Sequence, residues 1–336
     1  MDELARAARK YRNPVMVGLD PRWENLPEGL RDLASDSDSS NPADDDLYSR
    51  RAKAYQQFCC EIIDVVAPLV PAVKPQSAFF EELGPAGMQA LAAVIVHARQ
   101  QGLIVILDAK RGDIGSTAAA YARGILGRTE SAWGADAVTV NPYLGDESLH
   151  PFVKVAMERG AGLFVLVKTS NPGGGMFQDL VLDEQADKKG AAGSSSFRST
   201  LDQGEPLYGH VANLVESLAD QTRGDCGYGA VGAVVGATYP QQLAKLRTTM
   251  PQTWFLVPGF GSQGGTAQDV AAAFDSRGLG AIVNSSRGII FAHQRPEYAQ
   301  RFGSARWQEA VEAATREMIA ELRAETPAGK LRVYES

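Results

Sequence analysis

IVILDAKRGDIGST, residues 104–117, is the stretch whose reading decides the fold. Leu103 and the run Ile104, Val105, Ile106, Leu107 make five apolar residues, the length of a strand buried on both faces. This strand hands over to Asp108, Ala109, Lys110, Arg111, Gly112 and Asp113, and a helix opens near Ser116. Side chains two apart on a strand face one side, so Asp108 and Lys110 leave it together. Gly112 and Gly115 let the backbone turn tightly and carry Asp113 away. Two carboxylates bracketing one ammonium repel each other, and the lysine between them is what makes the cluster tolerable. A lone Asp-x-Lys would read equally as a surface salt bridge, with Asp113 as a helix N-cap. The full DAKRGD run directly after a buried strand favours a catalytic site.

Upstream of this strand, residues 2–10 have helical composition and VMVGL, 15–19, reads as a buried strand ending in Asp20 and Pro21. SDSDSSNPADDD, 35–46, is polar and acidic and predicts a solvated loop; it lacks the glycine and spacing of an EF-hand. A helix over 48–67 places Ala54, Phe58, Ile62 and Val65 or Val66 near helical spacing. A short strand at 71–75 carries Lys74, and a helix over 85–101 stops at Gly102. Downstream, helices are predicted at 117–126, 147–159, 205–220, 240–248, 268–274 and 296–324. Strands are predicted at 135–140, 163–167, 230–235, 253–257 and 280–283. Residues 172–203 interrupt the rhythm with GGG and AAGSSS; this is too long for an ordinary βα loop and reads as a lid, a disordered insertion or partly both.

Eight short apolar strands alternating with helices are the pattern of a (β/α)₈ TIM barrel, an α/β fold. An open doubly wound sheet is the competing arrangement, but no GxGxxG follows the first strand. Residues 1–336 are therefore expected to form one barrel domain with two polar insertions, near 35–46 and 172–203. Closed barrels of this length fold as single units.

A net charge of −7 argues against nonspecific binding to nucleic acid or anionic membrane. No apolar run approaches a membrane span, and Met-Asp-Glu at the start shows no signal peptide. Cys59, Cys60 and Cys226 have no metal-ligand spacing and suit a reducing compartment, so a cytoplasmic location is expected.

In such barrels the active site is assembled from the C-terminal strand ends. Taken in order these carry Asp20, Lys74, Asp108 with Lys110, Asn141, Thr169 with Ser170, Gly236, Pro258 with Gly259, and Ser286 with Arg287. Singly, each has a plain reading: a turn at Asp20 or Asn141, a snorkelling Lys74. Six polar ends at one rim instead describe a binding pocket. PGFGSQGG, 258–265, can turn backbone N–H groups towards an anion, and Arg287 on the next strand adds a charge-assisted fork. Loops seven and eight are the usual phosphate site of this architecture, so a phosphorylated substrate is expected.

Along nearly the whole chain these features resemble the orotidine 5′-phosphate decarboxylase family, in its longer bacterial subgroup, often called type 2. The Asp-x-Lys-x-x-Asp motif lies at Asp108, Lys110 and Asp113. The resemblance implies a charged catalytic tetrad of Lys74, Asp108, Lys110 and Asp113. It further implies a ribose contact from Asp20 in VGLD, a pyrimidine contact from Ser170 in VKTSNPG, and a phosphate grip from Gln263 and Arg287. Thr117, with Asp113, would reach into the partner subunit's site, so the family likeness implies a homodimer with shared active sites. Asn141 and Ser286 complete the expected substrate-binding rim. The implied activity converts orotidine 5′-phosphate to uridine 5′-phosphate and CO₂, the last step of de novo UMP synthesis, with Lys110 as proton donor. Neither a metal nor a cofactor is expected.

Three rivals share parts of the pattern. A Mg²⁺-dependent sugar-phosphate decarboxylase or aldolase of the same superfamily also carries DxKxxD, but that branch has an acidic residue where Lys74 stands. A Schiff-base aldolase could use Lys110 or Lys168. A non-catalytic nucleotide-binding barrel would keep the pocket without needing the intact charge array.

Overall fold

The computed structural model describes residues 1–35, 47–181, 204–261 and 264–332. Most of both expected insertions (36–46 and 182–203) and Gln263 lie outside the described residues.

Eight parallel strands close on themselves in chain order. They are β1 (Val15–Leu19), β2 (Ala72–Pro75), β3 (Ile104–Arg111), β4 (Ala137–Val140), β5 (Gly162–Lys168), β6 (Val231–Val235), β7 (Phe255–Val257) and β8 (Ala281–Ser285). Closure runs through Val15↔Val283 and Val17↔Ser285. Interior side chains cover one face of such a sheet and helices cover the other, so its strands read as continuous apolar runs rather than alternating ones. Every residue of β1, β2, β4, β6, β7 and β8 is accordingly buried.

The outer ring follows from helical periodicity. Helix Leu47–Val66 turns Ala54, Phe58, Ile62 and Val66 inward, four residues apart. The Phe58 ring stacks on Phe291 at 5.6 Å and lies 5.3 Å from Trp307. Trp307 opens the last long helix, Trp307–Glu325, so an aromatic seam ties the first and last thirds of the chain together.

The structure departs from the sequence expectation at several elements. The predicted strand at 104–107 continues through Arg111. Polar residues extend it because Asp108 bridges to Gln76 beside β2 and Arg111 pairs with Val140. Between Leu107↔Val138 and Arg111↔Val140, four steps on β3 meet two on β4. The resulting bulge puts Lys110 at φ 45°, a left-handed conformation rare outside glycine. The single final helix expected over 296–324 is two, Pro296–Phe302 and Trp307–Glu325, because Gly303 leaves the helical region at φ 66°, ψ −177°. The helix expected at 268–274 is one turn, Ala267–Val270, followed by a 3₁₀ turn. In the described part of the second insertion, residues 172–178 form a 3₁₀ turn and a short helix.

Candidate active site

Asp108 is the hub of the rim. It is 7 % exposed, and its two oxygens accept from four side chains. Lys74 Nζ donates to Oδ2 at 2.7 Å and Gln76 Nε2 to the same oxygen at 3.1 Å. Lys110 Nζ donates to Oδ1 at 2.7 Å, and so does Thr139 Oγ1 at 2.9 Å. Burial alone would push the carboxyl pKa up. The adjacent ammonium groups of Lys74 and Lys110 overcome it and hold Asp108 well below the usual carboxylate range. Lys74, 4 % exposed at the end of β2, is the mirror case: burial disfavours its charge, but Asp108 and then Asp20 raise its pKa above the ordinary value. Lys110 differs from Lys74 in access. Its side chain is 46 % exposed and stands over the open end of the barrel.

The β1 and β8 strand ends close around this array. Gly18 pairs with Lys74, and a Cβ built on Gly18 would lie 1.9 Å from Ser286 Oγ. Only glycine in VGLD permits that approach. Ser286 Oγ accepts from Asn284 Nδ2 at 3.2 Å. Buried oxygens Asp20 Oδ1 and Asn284 Oδ1 have no protein partner; in a concave polar site, such orphaned acceptors are places for ligand donors.

On the opposite side of the mouth, Ser170 packs against the end of β6, where a Cβ at Gly236 would come within 2.8 Å of it. Thr238 Oγ1 donates to the Ser170 carbonyl at 3.3 Å. The segment after Ser170 is folded back onto the strand. Gln178 Oε1 accepts from the Thr169 N–H at 3.1 Å, its Nε2 donates to Thr169 Oγ1 at 2.8 Å, and Asp179 pairs with Lys168 at 2.5 Å. Lys168, the Schiff-base candidate, is the fully buried member of that pair, with its Nζ 5.4 Å and 4.6 Å from the Tyr208 and Tyr239 rings.

Arg287 is exposed on the first turn after β8. With Gly261, Ser285 and Gly288 it borders a cavity of about 580 Å³ that extends beneath the last helix. The glycine loop after β7 uses left-handed conformations at Gly259, Gly261 and Gly264. Its N–H groups at Gly261, Gly264 and Gly265 bond to carbonyls within the loop rather than pointing together at an open space.

Three expected rim residues stand apart from the array. Asp113 pairs with neither lysine among the described residues; its Oδ1 accepts from the N–H of Ile114 at 2.8 Å. It is not a helix cap either, because helix Gly115–Ile125 begins after Ile114 with no side-chain cap. Thr117 is exposed on the first turns of that helix. Asn141 is exposed, and its Oδ1 accepts from the Tyr143 N–H at 3.0 Å, forming a local turn. The sequence reading missed two partners of Asp108. Gln76 was within reach of it, since VKPQ places Gln76 two residues after Lys74 on the same strand face. Thr139 had no such signal: in AVTV it looks like one more β-branched core residue. Among the described residues, no group of three or more His, Cys, Asp or Glu could hold a metal ion.

A closed (β/α)₈ barrel with a buried carboxylate held between two lysines, and an arginine beside the last two loops, defines a barrel enzyme with a fixed charge array. The chain belongs to the orotidine 5′-phosphate decarboxylase / HUMPS family, whose model matches residues 13–302. It is 54 % identical over 324 residues to the orotidine 5′-phosphate decarboxylase of Rhodopirellula baltica, covering 96 % of this chain and 98 % of the relative. It is 44 % identical over 282 residues to that of Deinococcus radiodurans, covering 84 % and 85 %. Among solved structures, the Leishmania donovani OMP decarboxylase superposes with a TM-score of 0.65 at 30 % identity, covering 96 % of this chain and 97 % of that one.

Proposed function

We propose that Lys74, Asp108 and Lys110 of one chain, completed by Asp113 of a second, are the catalytic array of an orotidine 5′-phosphate decarboxylase. The reaction converts orotidine 5′-phosphate to uridine 5′-phosphate and CO₂, the last step of de novo UMP synthesis. The observation that carries the site assignment is the four-donor anchoring of Asp108, which fixes the half-exposed Lys110 ammonium at the open end of the barrel.

Breaking the bond from C6 to the carboxylate leaves the electron pair on C6, with no adjacent π system to absorb it. An ammonium already fixed beside that carbon stabilises the charge as it develops and needs no reorganisation at the moment of reaction. The Lys110 N–H then supplies the proton that forms the C6–H bond, and the amine regains a proton from water. Asp108 holds Lys110 in place and faces the departing carboxylate. Lys74 supplies the second positive charge, so the array requires neither metal nor cofactor. Asp20 binds ribose, Ser170 the pyrimidine, and Gln263, Ser286 and Arg287 the phosphate, with Asn141, just after β4, a further substrate contact. The grip on phosphate contributes binding energy remote from the reacting carbon. Residues 1–336 act as one barrel domain, in the cytosol.

An Asp113 that pairs with neither Lys74 nor Lys110 among the described residues, its Oδ1 taken up by the Ile114 N–H, is what a shared site requires of a single chain. Asp113 and Thr117 then cross a two-fold interface, giving a homodimer with two equivalent composite sites. Mixing Lys110→Ala subunits with Asp113→Ala subunits tests this assignment. Each mixed dimer gathers both defects in one site and leaves the other intact, so activity is expected to return towards half that of wild type per mixed dimer. A mixture that stays inactive despite demonstrated subunit exchange contradicts the shared site.

A further inference from the structure

We propose that Thr139, on β4, is a positioning residue for Lys110. The inference rests on the assignment of Lys110 and Asp108 above and adds the group that holds both of them. Thr139 is 1 % exposed, and its hydroxyl is fully used. Oγ1 accepts from the Ala109 N–H at 3.1 Å and from the Lys110 N–H at 2.9 Å, and donates to Asp108 Oδ1 at 2.9 Å. A hydroxyl has one proton and two lone pairs, so these three bonds exhaust it. They also fix its direction, because an ionised Asp108 can only accept.

The location explains why a side chain is needed there. β3 slips against β4 between Leu107 and Arg111, so the backbone N–H groups of the bulge fall out of step with the strand ladder. Two of them find Thr139 instead. The same bulge holds Lys110 at φ 45°, a conformation a lysine adopts only when its surroundings impose it. Oδ1 of Asp108, which takes the Thr139 proton, is also the atom that receives Lys110 Nζ. One hydroxyl therefore holds the backbone of Lys110 at one end and the anchor of its ammonium at the other. Without it, Lys110 can relax towards extended backbone and swing its ammonium away from C6.

Thr139→Val keeps the shape and removes the hydroxyl, and Thr139→Ser keeps the hydroxyl. Displacing a catalytic group by about 1 Å can cost about 10²-fold in rate. The valine variant is accordingly expected to lose about 10²-fold in kcat, with KM for orotidine 5′-phosphate and affinity for uridine 5′-phosphate changed by less than about threefold. The serine variant should recover most of that loss. Exchange of the C6 hydrogen of uridine 5′-phosphate with deuterated water reads proton delivery by Lys110 without the carboxylate, and should fall in the valine variant and return with serine. A folded valine variant with wild-type kcat and exchange overturns the proposal, as does equal loss in valine and serine. If valine does not fold, Thr139→Cys offers a weak acceptor in the same volume and is expected to show the same kcat loss; wild-type kcat there overturns it equally. Lys110→Ala is run alongside. Activity retained in that variant defeats the assignment of Lys110, whereas an inactive Lys110→Ala beside a fully active Thr139→Val defeats only the role of Thr139.

Discussion

Lys110→Ala is expected to lower kcat by at least about 10⁴-fold while leaving a folded barrel that still binds uridine 5′-phosphate. General-acid loss alone accounts for about 10²–10⁴-fold, and removing the preorganised positive charge costs about a further 10²–10³-fold. Folding should tolerate the change. The Lys110 side chain is 46 % exposed, and Asp108 keeps its Lys74, Gln76 and Thr139 donors. Steady-state kinetics together with product-binding titration check this. Activity within tenfold of wild type would show that Lys110 neither stabilises the carbanion nor protonates it.

Asp108→Ala has the second large effect, and it falls on stability as well as catalysis. Removing Asp108 leaves Lys74 buried without its nearest counter-charge, and stranding one member of a buried pair costs about 3–5 kcal/mol. Denaturant unfolding should show this loss for Asp108→Ala. Replacing both partners, Lys74→Met with Asp108→Leu, should recover much of the stability and none of the activity. The pH dependence has a defined sign. The folded-state pKa of Asp108 lies below its ordinary 3.8, so its contribution is complete above that value and is lost as pH falls below it. Lys74 has a folded pKa above its ordinary 10.5; its contribution is complete below 10.5 and disappears as pH rises through the folded value. The stability of wild type relative to the Met/Leu double variant should therefore stay flat between about pH 5 and 9 and fall at both ends. Wild type gaining stability relative to the double variant as pH falls below 4 would contradict the charged pair.

The barrel was legible because its strands are buried on both faces. Runs such as VMVGL and AVTV carry no polar residue on either side except where a strand meets the rim, and turn residues or helices separate each from the next. The demand for glycine at Gly18 and Gly236 was not legible in this way, since each stands where a side chain would strike Ser286 or Ser170, residues distant in sequence that only the fold brings close. Legibility also failed where pairing outweighs local composition. β3 continues through Asp108 to Arg111 because neighbouring strands supply partners for charged residues, which no pattern internal to 104–117 reveals. Thr139 matters through a hydroxyl that meets a bulge on the neighbouring strand, so its role depends on a register shift. The Lys168–Asp179 pair depends on residues 172–179 folding back over β5. The break at Gly303 was hidden because helical composition resumes on both sides of it.

The candidate rim was legible as a set of strand ends, and the structure brings Lys74, Asp108 and Lys110 into direct contact. Asp113 and Thr117 stay outside that contact within one chain, and the proposal that they reach a partner's site rests on the family likeness.

Loss of orotidine 5′-phosphate absorbance, followed with the full chain in the presence of excess EDTA, tests the central claim most directly. Stoichiometric formation of uridine 5′-phosphate and CO₂, at the same rate with and without the chelator, is the predicted result. No turnover, or turnover abolished by EDTA and restored by Mg²⁺, would contradict a decarboxylase that works through its own fixed charges.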